Sequence, residues 1–117
     1  MLRAIKSILG GASSAEISPR DAHEKVRAGE VVLVDVREKR EWSAGRIPAA
    51  KHIPLSSLRD RTGKLPKDKE VVLVCRSGAR SAFAAKMLSE EGYEAVSLEG
   101  GAGAWAREGL PFKGRVA

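Results

Sequence analysis

The sequence is poor in cysteine, with a single one, Cys75, among 117 residues. An intramolecular disulfide is therefore excluded, and so is a zinc site built on a cysteine cluster. Histidine is also scarce: His23 and His52 lie too far apart to share a short ligand motif. No apolar run approaches the ~18 residues of a membrane span, so an integral membrane protein is excluded. A lone thiol fits a reducing compartment, and a cytoplasmic location is expected.

What is present suits one globular α/β domain. The chain is 43% hydrophobic and 31% charged, with only 4% aromatic residues. A chain of this length buries roughly 60–70% of its unfolded surface, enough for one core without staples. Nothing in the sequence demands an oligomer, and a monomer is expected. Residues 1–14 carry Leu2, Ile5, Ile8 and Leu9 at helical spacing before a Gly-Gly and a Ser pair. They read as an N-terminal extension with a short amphipathic helix, leaving 15–117 as the domain. A secretory signal does not fit, because charge breaks the apolar segment.

Net charge is +6, and its excess lies in one place. Residues 37–67 hold nine basic side chains against three acidic ones, while the remainder is balanced at twelve of each. That stretch has no interleaved aromatics beyond Trp42 and no helix-turn-helix, so nucleic-acid binding is not expected. A basic face of this kind suits small anions or an acidic partner.

Ser18-Pro19-Arg20-Asp21 predicts a helix start: a capping hydroxyl, a proline suited to the first turn and an acid for the dipole. Gly29 ends that helix. Val31–Val34 before Asp35, and Val71–Val74 before Cys75, are short β-branched runs that predict strands buried on both faces, hence a parallel sheet covered by helices. Ala50–Ile53 and Ala95–Leu98 predict two more strands. Helices are expected over Glu38–Ala44, Ser81–Glu91 and Ala102–Glu108, with a turn or short helix at Leu55–Arg61. Phe83 and Met87 are expected to pack in the core.

The chemistry centres on Cys75, which leaves a buried strand and precedes a helix across Arg76-Ser77-Gly78-Ala79-Arg80. Loops at the carboxyl ends of parallel strands line the ligand crevice. Asp35 leaves an equivalent strand end. A helix start supplies unpaired N–H groups, Gly78 lets the loop curl so that they point inward, and Arg76 and Arg80 add positive charge. Such surroundings lower a thiol pKa from ~8.5 toward ~3.5–7.5, and the thiolate is the nucleophile for attack on sulfur or phosphorus.

Cys75-Arg76-Ser77-Gly78-Ala79-Arg80-Ser81 resembles the active-site loop of the rhodanese-like sulfurtransferases. Asp35-Val36-Arg37-Glu38 with Glu41-Trp42, Gly45, Ile47-Pro48 and Ile53-Pro54 is similar to that family's first signature. Leu98-Glu99-Gly100-Gly101 with Trp105 and Gly109-Leu110-Pro111 is similar to its closing one. The resemblance covers about residues 15–113. It implies a five-stranded parallel sheet with helices on both faces, and a single-domain thiosulfate sulfurtransferase that needs no metal and no organic cofactor. Cys75 would take a sulfane sulfur from thiosulfate or a similar anion and hand it, from a persulfide, to cyanide or a thiol. A thioredoxin-like protein is one such thiol partner. Arg76 and Arg80 would draw the donor's sulfonate, and the amides of Ser77, Gly78 and Ala79 would hold the charge. Ser77 and Ser81 would add hydroxyls, Asp35 and Arg37 would support the loop, and Trp105 is expected in the core. Arg46 stands where the family often has histidine, and Ala49 where glycine is common.

Two other functions use the same loop. A persulfide carrier with little turnover of its own needs the same cradle. A phosphatase or arsenate reductase of related fold needs a wider one, with five residues between cysteine and arginine, whereas four separate Cys75 from Arg80.

Overall fold

The computed structural model describes residues 15–117, so the helix expected over 1–14 lies outside it. Five strands form one parallel sheet in the order β1-β6-β5-β2-β4. They are β1 (Glu16–Ile17), β2 (Val31–Asp35), β4 (Lys51–His52), β5 (Glu70–Val74) and β6 (Ala95–Leu98). A two-residue antiparallel ribbon joins β3 (Gly45–Arg46) to β7 (Lys113–Gly114). The helices are α1 (Pro19–Arg27), α2 (Lys39–Ala44), α3 (Leu55–Leu58), α4 (Ala79–Glu90) and α5 (Gly101–Arg107), with a 3-10 segment at Arg59–Lys64.

The two valine runs are neighbours in the middle of the sheet, Val31 opposite Glu70 and Asp35 opposite Val74. Central parallel strands bury both faces, which is why these segments are continuously apolar rather than alternating. The period of two still sorts their side chains. Val34, Val71 and Leu73 pack with Ala84, Ala85 and Leu88 of α4 and Leu58 of α3. Leu33, Val72, Val74 and Val96 pack on the other face with Ala22 of α1 and Trp105 of α5. Each fully buried Val or Leu contributes about 1.5–3 kcal/mol. Trp105 sits in the core, its indole N–H donating to the Pro111 carbonyl at 2.8 Å.

Helix α1 starts as its sequence predicts: the Asp21 N–H donates to the Ser18 hydroxyl at 3.2 Å, with Pro19 at the first helical position. The aromatic member of the expected α4 stripe departs from expectation. Met87 is buried, but Phe83 is 59% exposed. The buried positions of α4 are 81, 84, 85, 87 and 88. Phe83 lies about 200° around the helix from Ser81, on the solvent side.

The basic stretch is also less uniformly a surface than its composition suggests. Arg37 is fully buried on Asp35, Arg46 lies over the Trp42 ring at 5.1 Å, and Lys67 lies over Tyr93 at 4.9 Å.

Candidate active site

β5 ends at Val74, and the chain turns at Cys75 toward α4. Helix α4 begins at Ala79, two residues earlier than its apolar spacing predicts, so Arg80 and Ser81 lie in its first turn. Gly78 precedes the helix with φ of 124°, a backbone conformation that side chains oppose. That twist brings the Gly78 N–H to 3.0 Å from Cys75 Sγ, donating to the sulfur.

Beneath the loop the sulfur meets a file of hydroxyls. Cys75 Sγ is 3.4 Å from Ser81 Oγ, and Ser81 Oγ is 2.7 Å from Ser97 Oγ. Ser81 and Ser97 are fully buried, and the Ser81 hydroxyl also reaches the Gly78 carbonyl at 3.0 Å. A hydroxyl carries one proton. When Ser97 donates to Ser81, the Ser81 proton is free to turn to an ionised sulfur. Ser97 was not among the expected site residues; the only sign of it in the sequence is a hydroxyl amid the apolar Ala95–Leu98 strand.

These contacts set the acidity of Cys75. Burial works against ionisation, since only 1% of the residue is exposed. The Ser81 hydroxyl and the backbone N–H groups of Ser81, Gly78 and Ser77 outweigh it, and the thiol pKa falls below its ordinary 9.0.

The two guanidinium groups are differently placed. Arg80 grips Glu41 of α2 with two hydrogen bonds, Nη1 to Oε1 at 2.7 Å and Nη2 to Oε2 at 2.9 Å. The pair holds the Glu41 carboxyl down at about 2 and pushes Arg80 further up. A Cys75 charge also favours protonated Arg80, but less than Glu41 does. Arg76 is exposed, and its Nε donates to the main-chain oxygen of Ala117 at 2.8 Å. The sulfur is thus held by amides and a hydroxyl, with one arginine largely neutralised and the other at the surface.

A profile of the rhodanese-like domain matches residues 18–108. The chain belongs to the rhodanese-like family. A sulfurtransferase of Allochromatium vinosum is 47% identical over 84 residues, covering 71% of this chain and 78% of that one. YtwF of Bacillus subtilis, whose sulfurtransferase name is itself provisional, is 44% identical over 97 residues, covering 82% and 94%. A rhodanese-related protein from Thermoplasma volcanium superimposes with a TM-score of 0.77 at 36% identity, covering 83% of this chain and 95% of that one. The five-stranded parallel sheet with helices is that of its rhodanese-related neighbour, as the resemblance implies.

In this rhodanese-like domain the remaining signature residues fix the chain segments on either side of the loop. Asp35 and Arg37 are completely buried and paired: Nε donates at 3.0 Å to each carboxylate oxygen, and Nη2 donates at 2.8 Å to Oδ2. Arg37 Nη2 also donates to the Gly45 carbonyl at 2.7 Å, and the Arg37 carbonyl meets His52 Nε2 at 2.8 Å. His52 stacks under Trp42, ring centres 4.7 Å apart. Asp35 therefore fastens the chain leaving β2, which carries Glu41 to Arg80. On the other side, the Ala102 and Gly103 N–H groups donate to the carbonyls of Cys75 and Arg76 at 2.8 and 3.1 Å. Among the described residues no cluster of three potential metal ligands occurs and no helix is long and apolar enough to cross a membrane.

Proposed function

We propose that this rhodanese-like domain moves a sulfane sulfur from thiosulfate, or a similar anionic donor, to a thiol acceptor or to cyanide through a persulfide on Cys75. The Cys75 thiolate attacks the terminal sulfur of thiosulfate; the sulfur–sulfur bond of the donor breaks and sulfite leaves with its electron pair. The acceptor then attacks the outer sulfur of the persulfide, and the Cys75 thiolate is the leaving group. Each step conserves charge and needs no metal, cofactor or added oxidant.

One observation carries this reading: a thiol of lowered pKa whose sulfur accepts the Gly78 N–H at 3.0 Å and lies beside the Ser81 hydroxyl. The amides of Ser77, Gly78 and Ser81 serve the thiolate and then the persulfide, both monoanions. Ala79 continues that curl into the helix. Arg76, exposed at the loop, draws the donor's sulfonate, and Arg80 holds the loop while adding its residual field. Asp35 and Arg37 support without touching substrate.

Near-complete burial of Cys75 favours a slender terminal sulfur over a tetrahedral phosphoryl group. Engagement of Arg80 by Glu41 also speaks against a phosphatase, which needs that arginine on the phosphoryl oxygens. The chemistry fits a reducing cytoplasm and a monomer meeting a thioredoxin-like acceptor.

Intact-mass measurement after incubation with thiosulfate tests the reading. Gain of one sulfur atom, lost on adding cyanide and absent in Cys75→Ser, is the expected result. No gain, or efficient hydrolysis of an aryl phosphate, overturns it. Turnover of thiosulfate with cyanide separates an enzyme from a persulfide carrier.

A further inference from the structure

Beside the nucleophile loop lies a second feature, a cavity of about 330 Å³. It is lined by Arg76 and Ser77 of the loop, Gly100 and Gly103 of the β6–α5 turn, Arg107 at the end of α5, and Val116 of the C-terminal segment. Two guanidinium groups thus share one small cavity. Glu108, the acid next to Arg107 in the chain, is taken by Arg20 at 3.0 Å. Arg107 has no hydrogen-bond or ion-pair partner among the described residues. Arg76 uses only Nε, on the Ala117 oxygen. Its terminal nitrogens have no partner among those residues. The cavity holds an excess of cationic donors, and one of them already receives an oxygen acceptor from the chain itself.

Its size is at the lower end of the ~300–1,000 Å³ usual for small-molecule sites. That suits a molecule of a few residues' bulk rather than a large coenzyme. Ser77 is two residues from Cys75, so their Cα atoms are no more than ~7.6 Å apart. A small thiol with its anionic end in the cavity is within reach of the persulfide.

Resting on the sulfur-transfer reading above, we propose that this cavity is the acceptor subsite, and that it takes a small thiol carrying carboxylates, held by Arg76 and Arg107. The thiolate of such an acceptor attacks the outer sulfur of the Cys75 persulfide. A new sulfur–sulfur bond forms on the acceptor, the bond to Cys75 breaks, and the electron pair returns to Cys75 as thiolate. Fork-shaped guanidinium groups pair with planar carboxylates through two parallel hydrogen bonds, which gives the site its selectivity for charge and shape.

The test has two arms. In the first, the full chain labelled with nitrogen-15 is titrated with S-methylglutathione, which carries the carboxylates but cannot react. Amide shifts concentrated at Gly100, Gly103 and Arg107, abolished in Arg107→Glu and retained with weaker affinity in Arg107→Lys, are expected. Shifts confined to 78–81, no saturable shifts, or the same shifts from inorganic phosphate at equal concentration would overturn the proposal. In the second arm, protein preloaded with thiosulfate is discharged with glutathione or with 2-mercaptoethanol. Arg107→Glu should lower kcat/KM for glutathione at least tenfold relative to 2-mercaptoethanol; equal losses with both thiols would overturn it. Failure of Cys75 to load with sulfur would sink the transfer reading, yet the first arm would still report on the cavity.

Discussion

Arg80 and Glu41 close a two-pronged ion pair across the site, joining the first turn of α4 to α2 at 2.7 and 2.9 Å. The carboxyl is nearly buried, whereas the guanidinium keeps about a third of its surface in water, so the pair is worth less than a sealed one (about 1 kcal/mol). Its pH dependence has a definite sign. Glu41 titrates at about 2 in the folded protein and near the ordinary 4.5 unfolded. Its contribution is therefore complete above ~4.5 and is lost as pH falls toward 2. Urea unfolding should show Glu41→Gln less stable than the parent by about 1 kcal/mol from pH 7 to 5, with the gap closing below. A gap that stays constant down to pH 2.5 would contradict the pairing.

Because Arg80 ties the first turn of α4 to Glu41 and carries charge beside Cys75, its loss should be felt in the proposed chemistry. Arg80→Ala is expected to lower kcat/KM for thiosulfate by about tenfold or more, equivalent to at least ~1.4 kcal/mol of transition-state stabilisation. Lys113→Ala, exposed on β7, should change it less than twofold. Steady-state assays with cyanide as acceptor decide the matter, and small equal losses would deny Arg80 any role.

Ser97 is the concealed end of the hydroxyl file. Removing it takes away the hydroxyl that donates to the Ser81 oxygen and so leaves the Ser81 proton a weaker donor to Cys75. Ser97→Ala should raise the Cys75 pKa and slow alkylation by iodoacetamide several-fold at neutral pH, as loss of a hydrogen bond in support of a charged group does (~1 kcal/mol). Ser81→Ala should do so more strongly. The pH profile of the alkylation rate is the measurement; unshifted profiles in both variants would show that the file does not set the acidity.

Asp35 and Arg37 form a sealed pair, and breaking a sealed pair leaves a bare charge behind. Arg37→Ala or Asp35→Ala should cost about 3–5 kcal/mol by urea unfolding. Arg37→Lys should recover little, since a single ammonium nitrogen cannot reproduce the fork by which Nε and Nη2 together span the carboxylate and the Gly45 carbonyl. Full stability of the lysine variant would show that the fork geometry is unimportant.

Gly101 lies against the Cys75 loop with φ of 61°, and a Cβ there would collide with the Cys75 and Arg76 carbonyls. Gly101→Ala should displace Cys75 and destabilise the domain by about 1–3 kcal/mol. Thermal unfolding together with the thiosulfate assay checks both effects. A variant of unchanged melting temperature and activity would mean that the turn moves freely.

The chain's own residue order determined much of this protein. Two β-branched runs ending at Asp35 and Cys75 can bury both faces only in the middle of a parallel sheet, so their strand ends had to meet. Ser18-Pro19 had to start a helix, and a thiol before Ser-Gly at a helix start had to meet unpaired amides. These are local rules of period, capping and backbone freedom, and they act within a few residues. Contacts between distant segments were decided by tertiary packing alone. Nothing near Arg80 announces Glu41, thirty-nine residues earlier, as its partner, and nothing near Cys75 announces Ser97. Phe83 sits within the apolar run of α4 yet faces water, because the face of α4 that packs was chosen by the sheet beneath it. β1 and the β3–β7 ribbon are two residues per strand, too short for any period to show; each exists only because its neighbour supplies the hydrogen bonds.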